Sequence, residues 1–459
     1  MKLVPLEFNC HLAFLICHYD RSFHGLSQII MTNNIYSKRT FIGISSFQAL
    51  AMFRRGLFYS YLSIYLRFFL GLSVTETTFF ATFPMVLNIV FQTFVWGVIS
   101  DKYQKRRTLI ILGEIFAAIS TFFVWLVHTI PASRYTAGYI IIFGMSFVEI
   151  FWSMSNIGWS AIISDLYPER QRTEIQGKLT SIGALGRIIG VWIGGVAYDG
   201  LANLYEGWGF DKGLLFFIAS GIMVLSTIPM FFVPEGGVKT NKDLTAEKYQ
   251  STERSKNVWS STRIFVVFLL AMVFINFGRN SIALIIAQYL SLDQGFNVSS
   301  SLLGYIVNMQ SLAMFLGGLF VVKLSRKFSD TTLLLFGSIT AVVHLLGFMF
   351  ARTLLLIFIS NFLGGISMVI IMASAYSYVS RLIPPQQRGK QFALFNATFF
   401  LSWGVAGTLI AGPVVDILLK SGVNEIFAYQ MSFLSAAVLV IIGIIIFIFV
   451  DRMARKEAD

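Results

Sequence analysis

Twelve apolar runs, most of them about twenty residues or longer and set apart by short polar turns, leave this 459-residue chain few ways to fold. Wound as a helix, such a run matches the hydrocarbon thickness of a bilayer. In lipid, a spanning segment must also satisfy its own backbone hydrogen bonds, which a helix does alone. The runs predict spans near Phe41 to Leu66, Thr78 to Ser100, Thr108 to Ile130, Tyr135 to Leu166, Ile175 to Tyr198 and Gly213 to Val233. Six more follow, near Ile264 to Leu290, Ser301 to Val322, Thr332 to Phe350, Thr353 to Ile383, Gln391 to Ile417 and Ile426 to Val450. With 56% hydrophobic and 13% charged residues, no soluble core could hide this much apolar surface, so the expected class is an all-α polytopic membrane protein with twelve transmembrane helices. The formal charge of +12 would suit nucleic acid if it formed one patch. Instead, 24 Lys and Arg lie in one set of alternate loops against 5 in the other, which reports orientation. Both termini are therefore expected in the cytoplasm, with the protein in the cell membrane.

A polar, mixed-charge stretch from Pro234 to Thr262 reads as a solvated linker between residues 31–233 and 263–459. Residues 1–30 form an atypical extension holding both cysteines (Cys10, Cys17) and three of the five histidines (His11, His18, His24), and Met31 is read as the start of translation, with a cytoplasmic extension as the alternative. The two halves repeat one another. Between spans 2 and 3, Gly97 to Arg107 reads G-V-I-S-D-K-Y-Q-K-R-R, and Gly318, Lys323, Arg326 and Lys327 return its glycine and basic positions between spans 8 and 9. A shift of 224 residues carries Arg39 onto Arg263, Arg55 onto Arg279 and Tyr65 onto Tyr289, while Pro168 with Arg172 recurs as Pro384 with Arg388.

The loop at Gly97 resembles the signature of the major facilitator superfamily, G-x-x-x-D-[RK]-x-G-[RK]-[RK], with Gln104 in place of the second glycine and Val322 in place of the acid in the second copy. That resemblance implies two parallel six-helix bundles with the substrate path along their shared axis, and a gating role for Gly97, Asp101, Lys102, Arg106, Gly318 and Arg326. Span 5 carries Gly177, Gly186, Gly190, Gly194 and Gly195. Glycines four apart on one face allow close helix packing, which is the reading given to Gly186, Gly190 and Gly194. The same frame is similar to the antiporter motif of drug-exporting members of the superfamily, with Val191 where that motif has proline.

Arg54, Arg55, Glu149, Arg187 and Arg279 fall near the middle of predicted spans, where charge is costly facing lipid, so these side chains should face the bundle interior. On span 1, Gln48, Arg55, Tyr59 and Ser63 share a stripe that Arg54 leaves. On span 4 the stripe is Glu149, Trp152, Ser153, Asn156 and Ser160, and on span 7 Asn276, Arg279 and Asn280 share a turn. Candidate substrate contacts are thus Arg55, Arg279, Tyr59, Asn276, Asn280, Trp152 and Asn156, with Glu149 and Arg187 as candidates for proton coupling. The alternative is that Glu149 is locked in a buried ion pair with Arg187 or Arg54. A cationic centre fits an anionic guest, and the arginines of spans 1 and 7 resemble those of organic-phosphate exchangers of the superfamily. Polar groups such as Asn88, Gln92, Asn308, Gln310, His344, Tyr376, Asn396 and Trp403 read as packing or interhelical hydrogen bonds.

The sequence shows no phosphate-cradling loop, metal-ligand cluster or nucleophile with a partnered base, so neither an enzyme nor a cofactor is expected. Energy must then come from a gradient of protons, another ion or a solute. The expectation is a monomeric secondary transporter of a small organic solute, proton-coupled, working by alternating access; it would either export amphipathic molecules or take up or exchange an organic anion. A receptor that keeps the fold but moves nothing is the rival, and it would need a signalling domain that a linker of under thirty residues does not supply.

Overall fold

The computed structural model describes residues 38–167, 169–200, 207–237, 258–325, 327–382 and 388–458, and every described element is helical. Twelve rods follow one another. The first six are α1 (Lys38–Ile64, continued by a wide π turn, Tyr65–Phe69), α2 (Val74–Phe91, a π turn Gln92–Trp96, then Gly97–Tyr103), α3 (Arg106–His128), α4 (Arg134–Leu166), α5 (Glu169–Tyr198) and α6 (Leu214–Met230). The second six are α7 (Val258–Ser281, then Ile285–Leu290), α8 (Ser300–Ser325), α9 (Asp330–Phe350), α10 (Leu354–Leu382), α11 (Arg388–Ala406, a π turn Gly407–Ala411, then Gly412–Lys420) and α12 (Glu425–Ala458). Ten of these reach membrane-spanning length and hydropathy, and α1 and the 17-residue α6 complete the set.

Within α1–α6 the packed pairs are α1 with α5 and α6, α3 with α4 and α6, and α2 with α4; within α7–α12 they are α7 with α11 and α12, α9 with α10 and α12, and α8 with α10. Glycines let α5 lie directly on α1. A Cβ at Gly186, Gly190 or Gly194 would fall 2.2, 2.0 or 2.6 Å from the carbonyl oxygen of Ala49, Phe53 or Leu57, so these three positions admit no side chain. Buried aromatics fill each half, with Phe58, Tyr65, Phe210 and Phe216 edge-on or stacked in the first, and Tyr289 edge-on to Phe433 and Phe268 stacked on Tyr378 in the second. Phe123, Phe143, Phe147, Ile445 and Phe449 point outward, as lipid-facing positions should.

The halves meet mainly at the end remote from Lys38 and Ala458, here called the distal end. Val74 N–H and Thr75 N–H, at the start of α2, donate to the two carboxylate oxygens of Asp416 on α11 at 3.1 and 2.8 Å. Below them Thr78, Thr82 and Thr408 form a hydroxyl ladder, with Oγ1 separations of 2.8 and 2.6 Å. Gln288 of α7 donates to Thr77 and accepts from Tyr429, and Arg67 reaches Glu425 at 3.2 Å. On the other flank, Ser300 donates to Asp199 at 3.1 Å and Asn308 to the Ile188 carbonyl at 2.9 Å.

Candidate functional site

Four interior charges of the first half, Arg54, Arg55, Glu114 and Glu149, form one cluster, from which Arg187 stands apart. Arg54 and Glu114 make an ion pair of 2.5 Å with both side chains 3% exposed, Ser155 donates to the second oxygen of Glu114 at 2.9 Å, and the Arg54 guanidinium lies 3.9 Å from the Trp152 ring centroid. The two charges of the buried pair thus compensate one another, and only the Arg54 Nε is left without a hydrogen-bond partner. Glu149, one turn before Trp152 on α4, accepts from Asn88 of α2 at 2.6 Å. It lies within the fields of Arg55, Arg54 and Glu114. Arg55 is exposed, unlike its neighbour Arg54, so its guanidinium opens into space while its charge acts on Glu149 and Tyr59.

The proposed lock between Glu149 and an arginine is therefore corrected. The partner of Arg54 is Glu114, the hydrogen-bond partner of Glu149 is Asn88, and Arg187 donates to Ser311 of α8 at 3.1 Å, tying the two halves together. Sequence reasoning passed over Glu114 because it lies only seven residues beyond the basic loop. A single acid in an otherwise apolar run was the available signal. Tyr59 and Trp152 stand near one another, with ring centroids 6.0 Å apart, and Asn156 is half-buried on the next turn of α4.

In the second half, Asn276 donates to Thr398 at 3.3 Å and Asn280 to Ser402 at 2.6 Å, and both are buried. These two asparagines stitch α7 to α11, so their amide donors are already engaged. Arg279 beside them is only 7% exposed, yet its Nε and Nη2 have no hydrogen-bond partner, and the nearest aromatic face is Phe399, 5.8 Å away. Arg55 and Arg279 occupy equivalent positions of the repeat but differ in setting, one open and one enclosed.

The loop between α2 and α3 is a compact polar knot. Arg106 is 6% exposed and donates to Asp165 at 3.3 Å, to Gln104 at 3.2 Å and to Ser100. Gln104 adopts a left-handed φ of 56°, the conformation for which glycine stands at this place in the signature. Glu235 and Gly237 dock the start of the linker on the same knot, through Thr108 N–H to Glu235 at 2.9 Å and Gly237 N–H to Asp165 at 2.9 Å. Gly97 follows the π turn, where a Cβ would meet the Gln92 carbonyl oxygen at 2.8 Å, whereas Gly318 has no atom within 4 Å of that place. Lys102 is exposed; the Asp101 side chain and Arg326 lie outside the described residues.

A family model described as Major Facilitator Superfamily matches residues 44–407 and 268–459. The multi-drug resistance efflux pump PmrA homolog of Lactococcus lactis is 21% identical over 369 residues, 79% of this chain and 82% of that protein. The quinolone resistance protein NorA of Staphylococcus aureus is 22% identical over 333 residues, 71% and 77% of the two chains. Among solved structures, a bacterial homolog of the human lysosomal transporter Spinster, inward-facing and unoccupied, has a TM-score of 0.66 at 16% identity and covers 92% of this chain and 99% of its own. The nucleoside transporter NupG has a TM-score of 0.66 at 12% identity, covering 89% and 99%.

Proposed function

Since the chain belongs to the major facilitator superfamily and is a multi-pass secondary transporter of a small organic solute, we propose that it couples solute movement to protons through Glu149. The observation that carries this is the setting of that carboxyl, held by the Asn88 amide at 2.6 Å and within the field of the exposed Arg55. A neutral amide partner leaves the acid free to bind and release a proton, as a salt bridge would not, and an arginine facing open space can relay that change of charge to a guest. Arg55, Tyr59, Trp152 and Asn156 form the wall next to Glu149. The Lys and Arg excess supports cytoplasmic termini, and a seam concentrated at the distal end then corresponds to a cavity open toward the cytoplasm. The Arg106 knot serves as the gate on that side, and one chain is the working unit.

The test uses protein reconstituted in vesicles that contain a pH-reporting dye, to which 4-phenylbutane-1-sulfonate, 4-phenylbutanol and 4-phenylbutyl-trimethylammonium are added in turn. Glu149→Gln should abolish the proton flux evoked by whichever solute is moved, while leaving solute-for-solute exchange. Proton flux that persists in Glu149→Gln protein would remove the coupling role.

A further inference from the structure

The described second half contains a buried guanidinium for which the fold supplies no countercharge. The acids between Arg263 and Val450 are Asp293, Asp330, Asp416 and Glu425, all at helix ends or in loops. Asp330 is held by Arg381 at 2.7 Å, Asp416 caps α2, Glu425 meets Arg67, and Asp293 is exposed between α7 and α8. Neighbouring amides give no relief to Arg279: the nitrogens of Asn276 and Asn280 are spent on Thr398 and Ser402, and neither amide oxygen accepts from Nε or Nη2. Arg54 provides the contrast within the same molecule. It is buried to a similar degree and leaves its own Nε unpartnered, yet around it the fold has assembled a carboxylate at 2.5 Å and an aromatic face at 3.9 Å, so its charge is compensated.

A guanidinium removed from water needs a negative partner and acceptors for its planar fork. We propose that the partner of Arg279 is the cargo itself, an organic anion whose carboxylate, sulfonate or phosphate oxygens accept from Nε and Nη2 and whose apolar body lies along Phe399. This deepens the transport reading above, on which it rests, by assigning the charge of the solute. Two oxygens held in one plane match the Nε–Nη2 edge, which a point charge such as lysine cannot reproduce. A cationic guest would add a second unpaired positive charge to an enclosed site, and a neutral one could accept a hydrogen bond but would leave the buried charge uncompensated.

The same three phenylbutyl probes share one body and carry fixed charges of −1, 0 and +1, so pH does not alter them. Their binding to the full chain in detergent is measured by calorimetry, with sodium chloride and sodium sulfate as inorganic controls. The sulfonate should bind at least tenfold more tightly than the alcohol, and the ammonium compound more weakly than either. Arg279→Gln should bring the sulfonate to the level of the alcohol. If that variant fails to fold, Arg279→Lys, which keeps the charge and loses the fork, should still weaken the sulfonate at least fivefold. Equal or tighter binding of the ammonium compound, unchanged sulfonate affinity in the folded Arg279 variants, or full occupancy by chloride or sulfate alone would overturn the assignment. Should the ammonium compound drive Glu149-dependent proton flux while the sulfonate fails to bind, the anion assignment falls and the coupling stands. Should the sulfonate bind through Arg279 without Glu149-dependent flux, the coupling falls and the anion assignment stands.

Discussion

Removing Asp416 should loosen the distal seam by an amount that can be worked out from the start of α2. The first turn of any helix has backbone N–H groups without intrahelical partners. Here Ser73 Oγ accepts from Glu76 N–H at 3.2 Å and Glu76 returns a bond to Ser73 N–H at 2.8 Å, which leaves Val74 and Thr75 for Asp416 of the other half. Asp416→Ala deletes two bonds to a carboxylate and its interaction with the positive end of the helix, together about 2 kcal/mol. At 1.4 kcal/mol per decade, the ratio of distal-closed to distal-open protein should fall about 30-fold. Asp416→Asn, with one oxygen and no charge, should fall between the two. Spin labels at Ile130 and Arg352, exposed near the distal ends of the two halves, report the populations by pulsed dipolar spectroscopy once Cys10 and Cys17 have been replaced by serine. Identical distance distributions in Asp416→Ala and the parent would show that the α2 cap does not hold the seam.

Three further outcomes follow from the packing. Glu114→Gln should cost about 3–5 kcal/mol, because it strands the Arg54 charge, and replacing both members by leucine should recover much of the loss; equal melting temperatures for Glu114→Gln and the parent would contradict the pairing. Gly190→Ala drives a methyl group into the Phe53 carbonyl and should destabilise by at least about 2 kcal/mol, whereas Gly318→Ala, in open space, should be neutral or gain about 0.5 kcal/mol from helix propensity; similar melting of the two variants would rule out the α1–α5 contact as the cause. Burial pushes the Asp199 carboxyl above its ordinary range, against the lowering effect of its bond to Ser300. Protonation therefore favours the closed seam, so acidification should raise the closed population, and Asp199→Asn should hold it high and flatten the response; a pH response unchanged in Asp199→Asn would exclude this group.

The apolar runs made the twelve rods legible because bilayer thickness fixes the length and lipid fixes the helix. Glycine spacing likewise pointed to a close helix contact but not to its partner, since four-residue steps on one face mark a face without saying that α1 covers it. Helical stripes were a weaker guide to the site, because a stripe tells which residues share a face but not which helix covers it. Asn276 and Asn280 share a turn with Arg279 yet face α11, and Arg54, off the Arg55 stripe, proved to be the buried member of the pair through Glu114 and Trp152. The internal repeat identified Arg55 and Arg279 as equivalent in sequence, but their surroundings diverge because α3 supplies an acid to the first half and the helices of the second supply none.

Interior acids confined to α1–α6 also bear on how such a protein can diversify. Point substitutions around Phe399 and Arg279 would alter the shape and donors offered to a guest without touching Glu114 or Glu149, which sit among residues of α1, α2 and α4. On the roles proposed for Glu149 and Arg279, a descendant lineage could exchange one solute for another by drift along α7 and α11 alone, inheriting its proton coupling unaltered from the half that did not change.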